Sequence, residues 1–425
     1  MKILLCNAQV CDFQSPFNGK VCDIYIVENQ INTIQLSSKK AFSKLPKNVK
    51  IIEAKGNLVS PGWFDMRADF CDPGFEYKED MGSGAKAALA GGFTDVALLP
   101  SSNPTRDTKT GVENVLNQSR KLPVNLYPYG CLSQHREGKE MAELFDMHQA
   151  GAVGFTDGNR PVAHAGILLR SLLYAKIFKG LVLSSADEIT ISEGGRMHEG
   201  NMSTLLGLKG IPSLAEELMV SRDIDLLKYT EGRIHFSHVS TKGAVDLIRK
   251  TKKAGYAITC DVAVANLCFT DEQLKDYDSN YKVVPPLRSK QDQKALWDGI
   301  ADGTIDAIVS NHQPQNIEHK EVEFEYALPG MITLQTFLPM LIQQMPKSLT
   351  LDKVIKAITS NPRTILGKEN IRVEAGQTAS LVVFDPAQKW TFSNNVSKSK
   401  NSPFLQQQLT GKINAVICKD AYHKY

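Results

Sequence analysis

The chain has 425 residues, 42% of them hydrophobic and 22% charged, with a formal net charge of +3. This balance describes a globular protein with room for a large core plus a smaller domain, and excludes a disordered chain. The charge is small and dispersed, which excludes a nucleic-acid binder; the densest basic run, Arg249-Lys250-Thr251-Lys252-Lys253, reads as the solvated end of a helix.

No apolar run is long enough to span a bilayer, so no membrane association is expected. Met1-Lys2-Ile3-Leu4-Leu5-Cys6 meets polar residues at Asn7 and lacks the apolar centre of a signal peptide, which predicts a cytoplasmic protein. Eight cysteines (Cys6, Cys11, Cys22, Cys71, Cys131, Cys260, Cys268, Cys418) are scattered without C-x-x-C spacing, so reduced thiols are expected rather than disulfides or a zinc knuckle.

In chain order, the first elements are short and β-rich: Ile24-Tyr25-Ile26-Val27 and Ile31-Asn32-Thr33-Ile34 flank Asn29. Eight strands are then predicted, at Leu58 to Asp65, Phe93 to Pro100, Val124 to Leu132, Ala152 to Asp157, Leu181 to Ala186, Arg233 to Ser240, Ala257 to Val262 and Ile305 to Ser310. Amphipathic segments alternate with them. Gly91-Gly92 ends one helix. Lys242 to Ala254 carries Val245 and Ile248 on one face, ends in basic residues and is stopped by Gly255; Ser289 can cap another helix from Lys290 to Ile300.

Eight β-α units point to an α/β fold of the closed (β/α)8 TIM-like barrel type over 58–365. After it, Ser380-Leu381-Val382-Val383-Phe384 precedes Asp385-Pro386, and the polar stretch Ser393 to Ser402 reads as a surface loop. Neither end has enough apolar residues for a core of its own, so 1–57 and 366–425 are expected to pair as one small composite β-sandwich domain.

The most informative stretch is Asp65-Met66-Arg67-Ala68-Asp69-Phe70-Cys71-Asp72-Pro73-Gly74. It resembles the D-x-H-x-H-x-R-x-P-G signature of dihydroorotases and related cyclic amidohydrolases. Further segments resemble that family in the same order: Gly194-Gly195-Arg196-Met197-His198-Glu199-Gly200, Gly210-Ile211-Pro212-Ser213, Ala215-Glu216-Glu217, His238-Val239-Ser240-Thr241, Tyr281 to Arg288, Asp302 to Ile308 and Asn401-Ser402-Pro403-Phe404. The resemblance covers essentially the whole chain. It implies a barrel with a composite β-sandwich, a two-metal site, and reversible closure of carbamoyl-aspartate to dihydroorotate.

The resemblance puts the family's metal ligands at Arg67, Asp69, Asp157, Ser185, His238 and Asn311. Only Asp157 and His238 keep the family's residue type, and Asp69 offers an oxygen. A guanidinium has no lone pair to give a metal, and an amide cannot titrate to move a proton as the family's aspartate does at 311. The substrate-binding positions implied are Cys71, Ser101, Val284 and Gln315, where the family carries arginine, asparagine, asparagine and histidine. A thiol cannot supply the guanidinium fork that clamps a carboxylate.

Other residues read more plainly. His238 is expected to be a packed, hydrogen-bonded histidine, Asp157 to occupy a pocket position, Asp187-Glu188 to be a solvated pair, and His312 and His319 to lie on the surface or in loops. Gly91-Gly92 and Gly194-Gly195 read as turns. Arg67 is expected to replace the metal charge by pairing with Asp157 or Asp69, against a mouth that also holds Asp65.

Two functions follow. One is a catalytically silent dihydroorotase homologue, binding no metal, that serves as a structural or assembly partner of aspartate carbamoyltransferase, with a homo-oligomer as a further expected assembly. The other is an amidohydrolase of altered substrate with one zinc held by Asp69, Asp157 and His238.

Overall fold

The computed structural model describes residues 1–38 and 48–425. Seven parallel strands form most of a barrel: Trp63–Ala68, Phe93–Leu98, Asn125–Pro128, Val182–Ser184, Ile234–Phe236, Ile258–Ala263 and Ala307–Val309. Phe155 fills the fourth position, bridging Gly130 on one side and Val182 on the other, and the Ala68–His312 bridge closes the ring. The expected strand at Ala152 to Asp157 is thus reduced to one residue with bridges on both sides. Leu181 and Gly130 carbonyls take the Phe155 and Thr156 amides at 2.9 Å, so the ladder remains continuous there.

The first expected strand, Leu58 to Asp65, is two strands. Leu58–Pro61 pairs with Lys2–Val10 and with Leu381–Thr391 outside the barrel, and Trp63–Ala68 begins the barrel. Gly62 makes the change of direction where side chains crowd: a Cβ there would lie 2.1 Å from Thr94 Oγ1 and 2.3 Å from Ser380 Oγ. Pro61-Gly62 lies at the break between the two apolar pairs Leu58-Val59 and Trp63-Phe64, the signal that divides the strand.

Both chain ends contribute to one eight-stranded sheet, in the order Ala421–Lys424, Gln408–Cys418, Leu381–Thr391, Leu58–Pro61, Lys2–Val10, Val21–Val27 and Gln30–Leu36, with Lys50–Glu53 alongside Lys2–Val10. Val21–Val27 and Gln30–Leu36 form the hairpin about Asn29; Glu28 and Asn29 both have positive φ (48° and 63°), the geometry of a tight turn that follows the strand twist. Ile3, Leu5, Ile24 and Ile26 from one end and Leu381, Val383 and Ile417 from the other bury together in a core that neither end could build alone.

Where barrel and sheet meet, Trp63, Phe93, Phe337 and Phe384 pack edge to face with centroids 4.9–5.8 Å apart in three of their pairs, and Trp63 Nε1 donates to Ser60 Oγ at 3.0 Å. Truncating a fully buried aromatic such as Trp63 costs about 3–5 kcal/mol.

The helices follow their punctuation. Met81–Ala90 ends at Gly91; Thr241 caps Lys242–Lys253, which buries Val245 and Ile248 and stops before Gly255 at φ 87°; Ser289 caps Lys290–Asp302 by accepting from Asp292 N at 3.2 Å. All eight cysteines are free thiols. Among the described residues no helix is long and apolar enough to cross a membrane.

The stretch Ser393 to Ser402 departs from its expected role as a surface loop. Ser397, Ser399, Asn401 and Ser402 are buried. Ser397 Oγ donates to the Glu79 carboxylate, Ser399 Oγ to Lys78 O at 2.7 Å, and Asn401 Nδ2 to Gln313 O at 2.9 Å. Polar composition predicted exposure; hydrogen bonding lets this polar segment tie together the loops after the first and last barrel strands instead.

Candidate functional site

At the C-terminal end of the first barrel strand, alternation turns Asp65 and Arg67 toward the barrel interior. Arg67 is only 1% exposed. Its guanidinium is used in three directions: Nε donates to Asn311 Oδ1 at 3.0 Å, Nη1 to Ser237 Oγ at 3.0 Å, and Nη2 to Asn159 Oδ1. Burial pulls its pKa down to about 10 against the opposing pull of Asp261, which leaves the cation intact at neutral pH.

Asp261 is the negative counterpart. It accepts from His235 Nε2 at 2.8 Å, from Ser237 Oγ at 3.2 Å and from the His238 amide at 2.6 Å. Burial would raise this carboxyl, but the His235 bond, the charges of His235 and Arg67, and the His238 amide hold it below its ordinary value. His235 is fixed on its other side by Thr259 Oγ1 at 2.8 Å. Arg67, Ser237, Asp261, His235 and Thr259 thereby form a continuous buried chain of hydrogen bonds.

The expected pairing of Arg67 with Asp157 or Asp69 does not occur. Asp157 accepts from the Leu132 amide at 2.9 Å, the Ser133 amide at 3.0 Å and Ser133 Oγ, so it ties down the loop after the third strand instead of lining the mouth cavity. Asp69 is half-buried and folds back onto the Cys71 amide at 2.8 Å. Both carboxylates meet backbone donors, which strand alternation does not reveal. Asp65 likewise takes the Arg67 amide at 3.1 Å, the Ser310 amide at 3.0 Å and Ser310 Oγ; burial outweighs these donors and pushes its pKa up to about 7.

Asn311 is fixed at both ends. Besides Arg67, its Oδ1 accepts from Gln313 Nε2 at 3.0 Å, while its Nδ2 donates to Val284 O at 3.0 Å. Ser185 Oγ donates to Gly158 O. His238, 6% exposed and at φ 47°, is packed as expected, but its buried Nε2 has no hydrogen-bond partner among the described residues. Burial first, and then the Arg67 charge, hold its pKa well below the ordinary histidine value, so it is neutral.

Cys71 is buried, and burial followed by the Asp69 charge drives its thiol far above the usual range. Ser101 Oγ is buried with no hydrogen-bond partner among the described residues; Gln315 donates from Nε2 to Pro329 O at 2.9 Å. Val284 forms the turn with Pro285 and Pro286 against a cavity of about 80 Å³, which Asn159, Ser185, Asp187 and His238 also line. Asp187 is therefore a half-buried cavity residue rather than half of a solvated pair, whereas Glu188 caps the short helix Ile189–Ser192.

His312 lies in the loop after the last barrel strand, one of the two expected places, but not at the surface. It is 1% exposed, its Nδ1 accepts from the Thr333 amide at 3.2 Å, and its Nε2 faces the buried Glu79 carboxylate at 3.6 Å. His319 lies half-buried on the turn Ile317–His319. The sequence reading missed Asp261, His235, Ser237 and Asn159. A signal existed for the first two: each is a lone polar residue in an apolar strand, Cys260-Asp261-Val262 and Ile234-His235-Phe236, and such a residue must be buried and paired.

The residues present do not fit a divalent cation. A protonated guanidinium stands at the first implied ligand position, the Asn311 oxygen is taken by Arg67 and Gln313, and the Asp157 oxygens are taken by loop donors. Among the described residues no group of three or more His, Cys, Asp or Glu could hold a metal ion.

A family model described as dihydro-orotase-like matches residues 56–244, and one described as amidohydrolase family matches residues 190–421. The chain is 37% identical over 417 residues to a dihydroorotase from Syntrophus aciditrophicus, covering 97% of each, and 38% identical over 416 residues to a dihydroorotase from Acetivibrio thermocellus, covering 97% of this chain and 96% of the relative. Among solved structures, an L-hydantoinase (dihydropyrimidinase) from Arthrobacter aurescens superposes with a TM-score of 0.86 at 22% identity, over 99% of this chain and 95% of that one. A dihydropyrimidinase from Brevibacillus agri gives 0.81 at 20% identity, with the same coverage. At that identity the two structures speak to the fold: a barrel with a β-sandwich domain.

Proposed function

This chain belongs to the dihydroorotase family of amidohydrolases, and from that premise we propose that it is a catalytically silent member that acts as a structural or assembly partner of aspartate carbamoyltransferase in pyrimidine biosynthesis. One observation carries the reading: the buried Arg67 guanidinium, bonded to Asn311, Ser237 and Asn159, lies where the family would bind cations. Closure of carbamoyl-aspartate requires a group that passes a proton between ring nitrogen and water, and the Asn311 amide cannot titrate. Cys71 offers no fork for the substrate carboxylate. For the assembly role, Leu173 and Ile177 on Ala165–Ile177 and Leu214 and Leu218 on the neighbouring Ser213–Thr230 leave apolar surface for docking.

The test is an assay in both directions with added zinc or manganese, together with copurification from the native cells. The reading predicts no turnover and recovery of aspartate carbamoyltransferase with this chain. The dihydroorotase name of the relatives favours a second reading, an active amidohydrolase, although Asp69, Asp157 and His238 do not come together as the single-metal site that reading was expected to use. Turnover that disappears on Asp157→Ala would select it.

A further inference from the structure

The opposite end of the barrel holds a second cavity, of about 280 Å³, where the fourth, fifth and sixth strand positions begin. Its apolar wall is Phe155, Phe178, Leu181 and Leu366. Its ionisable side chains are His148, Lys179, Arg233 and Lys368, with no acidic side chain among the lining residues. These four arrive from four separate segments, so they are not a solvated charge run along one helix face. In a chain whose net charge is only +3, such convergence is a local excess.

None of the four has an ion-pair partner among the described residues. Arg233 is held by backbone carbonyls, Nη1 to Lys179 O at 3.0 Å and Nη2 to Ile365 O at 3.2 Å. The Lys368 ammonium lies 5.0 Å from the centre of the Tyr127 ring, and burial, with no acid to offset it, lowers its pKa. His148 stacks on Phe178 with centroids 4.8 Å apart. The nearby Glu231 is drawn away by Lys176, at 3.3 Å. Cations gathered in a concave site without a counter-charge repel one another, and an anion that enters relieves the repulsion while gaining charge-assisted hydrogen bonds.

We propose that this cavity is a binding site for a phosphate or small phosphomonoester dianion, separate from the barrel mouth and independent of whether that mouth is catalytic. Arg233, pre-positioned by two carbonyls, would supply the planar donor; Lys179 and Lys368 would supply point charges; the apolar wall would take the organic part of a phosphomonoester.

The test is isothermal titration of the full-length chain with inorganic phosphate and, separately, with adenosine monophosphate, at ionic strength held constant with potassium chloride. Saturable binding of either supports the site, and the stronger of the two tells free phosphate from a phosphomonoester. Lys368→Gln and Lys179→Gln leave the Arg233 anchor in place and are each expected to weaken binding by about tenfold. Unchanged thermal midpoints in the absence of phosphate check that these variants fold. No saturable heat with either probe, an affinity in both variants equal to that of the parent chain, or an equal response to chloride would overturn the proposal. So would binding of an acidic polypeptide with none of phosphate.

Discussion

Arg67 and Asn311 fix one another: the guanidinium Nε–H donates to the amide oxygen at 3.0 Å, and the amide nitrogen is turned away to donate to Val284 O, also at 3.0 Å. An aspartate at 311 would set a carboxylate oxygen against that carbonyl. The amide is thus the side chain that suits both a cation on one side and a backbone oxygen on the other.

Asn311→Asp, which restores the family's residue, is expected to lose the Val284 bond and to lower stability by about 1–2 kcal/mol even though it offers Arg67 a charge. It should give no dihydroorotase turnover, because Arg67 still fills the space. Denaturant unfolding and an activity assay check both parts; a stabilised, active variant would show that the amide is incidental.

Arg67→Ala removes the donor to three acceptors and the cation facing Asp261. A loss of about 3 kcal/mol is expected, within the range for taking one partner from a buried charge pair. Arg67→Lys should recover only part of it, since one ammonium cannot reproduce the planar fork. The readout is the denaturant midpoint; a midpoint unchanged in Arg67→Ala would mean that the guanidinium is not structural.

His238 gives a pH signature. Its folded pKa lies below the unfolded value, so the folded state binds this proton less readily than the unfolded state. Stability from this group is therefore full above about pH 6.5 and is lost as pH falls, at up to about 1.4 kcal/mol per pH unit. Asp65, with its folded pKa pushed up to about 7, acts in the opposite direction in this window, so the signature is a difference: between about pH 7.5 and 5.5, stability should fall less, or rise more, with decreasing pH in His238→Gln than in the parent chain. Equal slopes in the two proteins would place the titration elsewhere.

Much of this architecture is legible in the sequence because it rests on local rules. The Ser289 cap, the Gly255 stop, the buried Val245 and Ile248 and the Asn29 hairpin follow from residue type and period. The site was legible in part: Arg67 is visible as a cation in a ligand's place, but its partners are not. Ser237 and Asn311 lie 170 and 244 residues away, and Asp157 and Asp69 turn to backbone amides that no side-chain pattern discloses. Polarity predicts solvent for Ser397 and Ser399, but their hydroxyls donate to the Glu79 carboxylate and to Lys78 O, and the buried His312 Nε2 faces Glu79 at 3.6 Å.

Metal content tests the replacement of a cation by Arg67 most directly. Protein purified from its native cells without chelator, dialysed against metal-free buffer and measured by elemental analysis, is predicted to carry far less than one zinc or manganese ion per chain. A content near two per chain, or near one that Asp157→Ala abolishes, would contradict it.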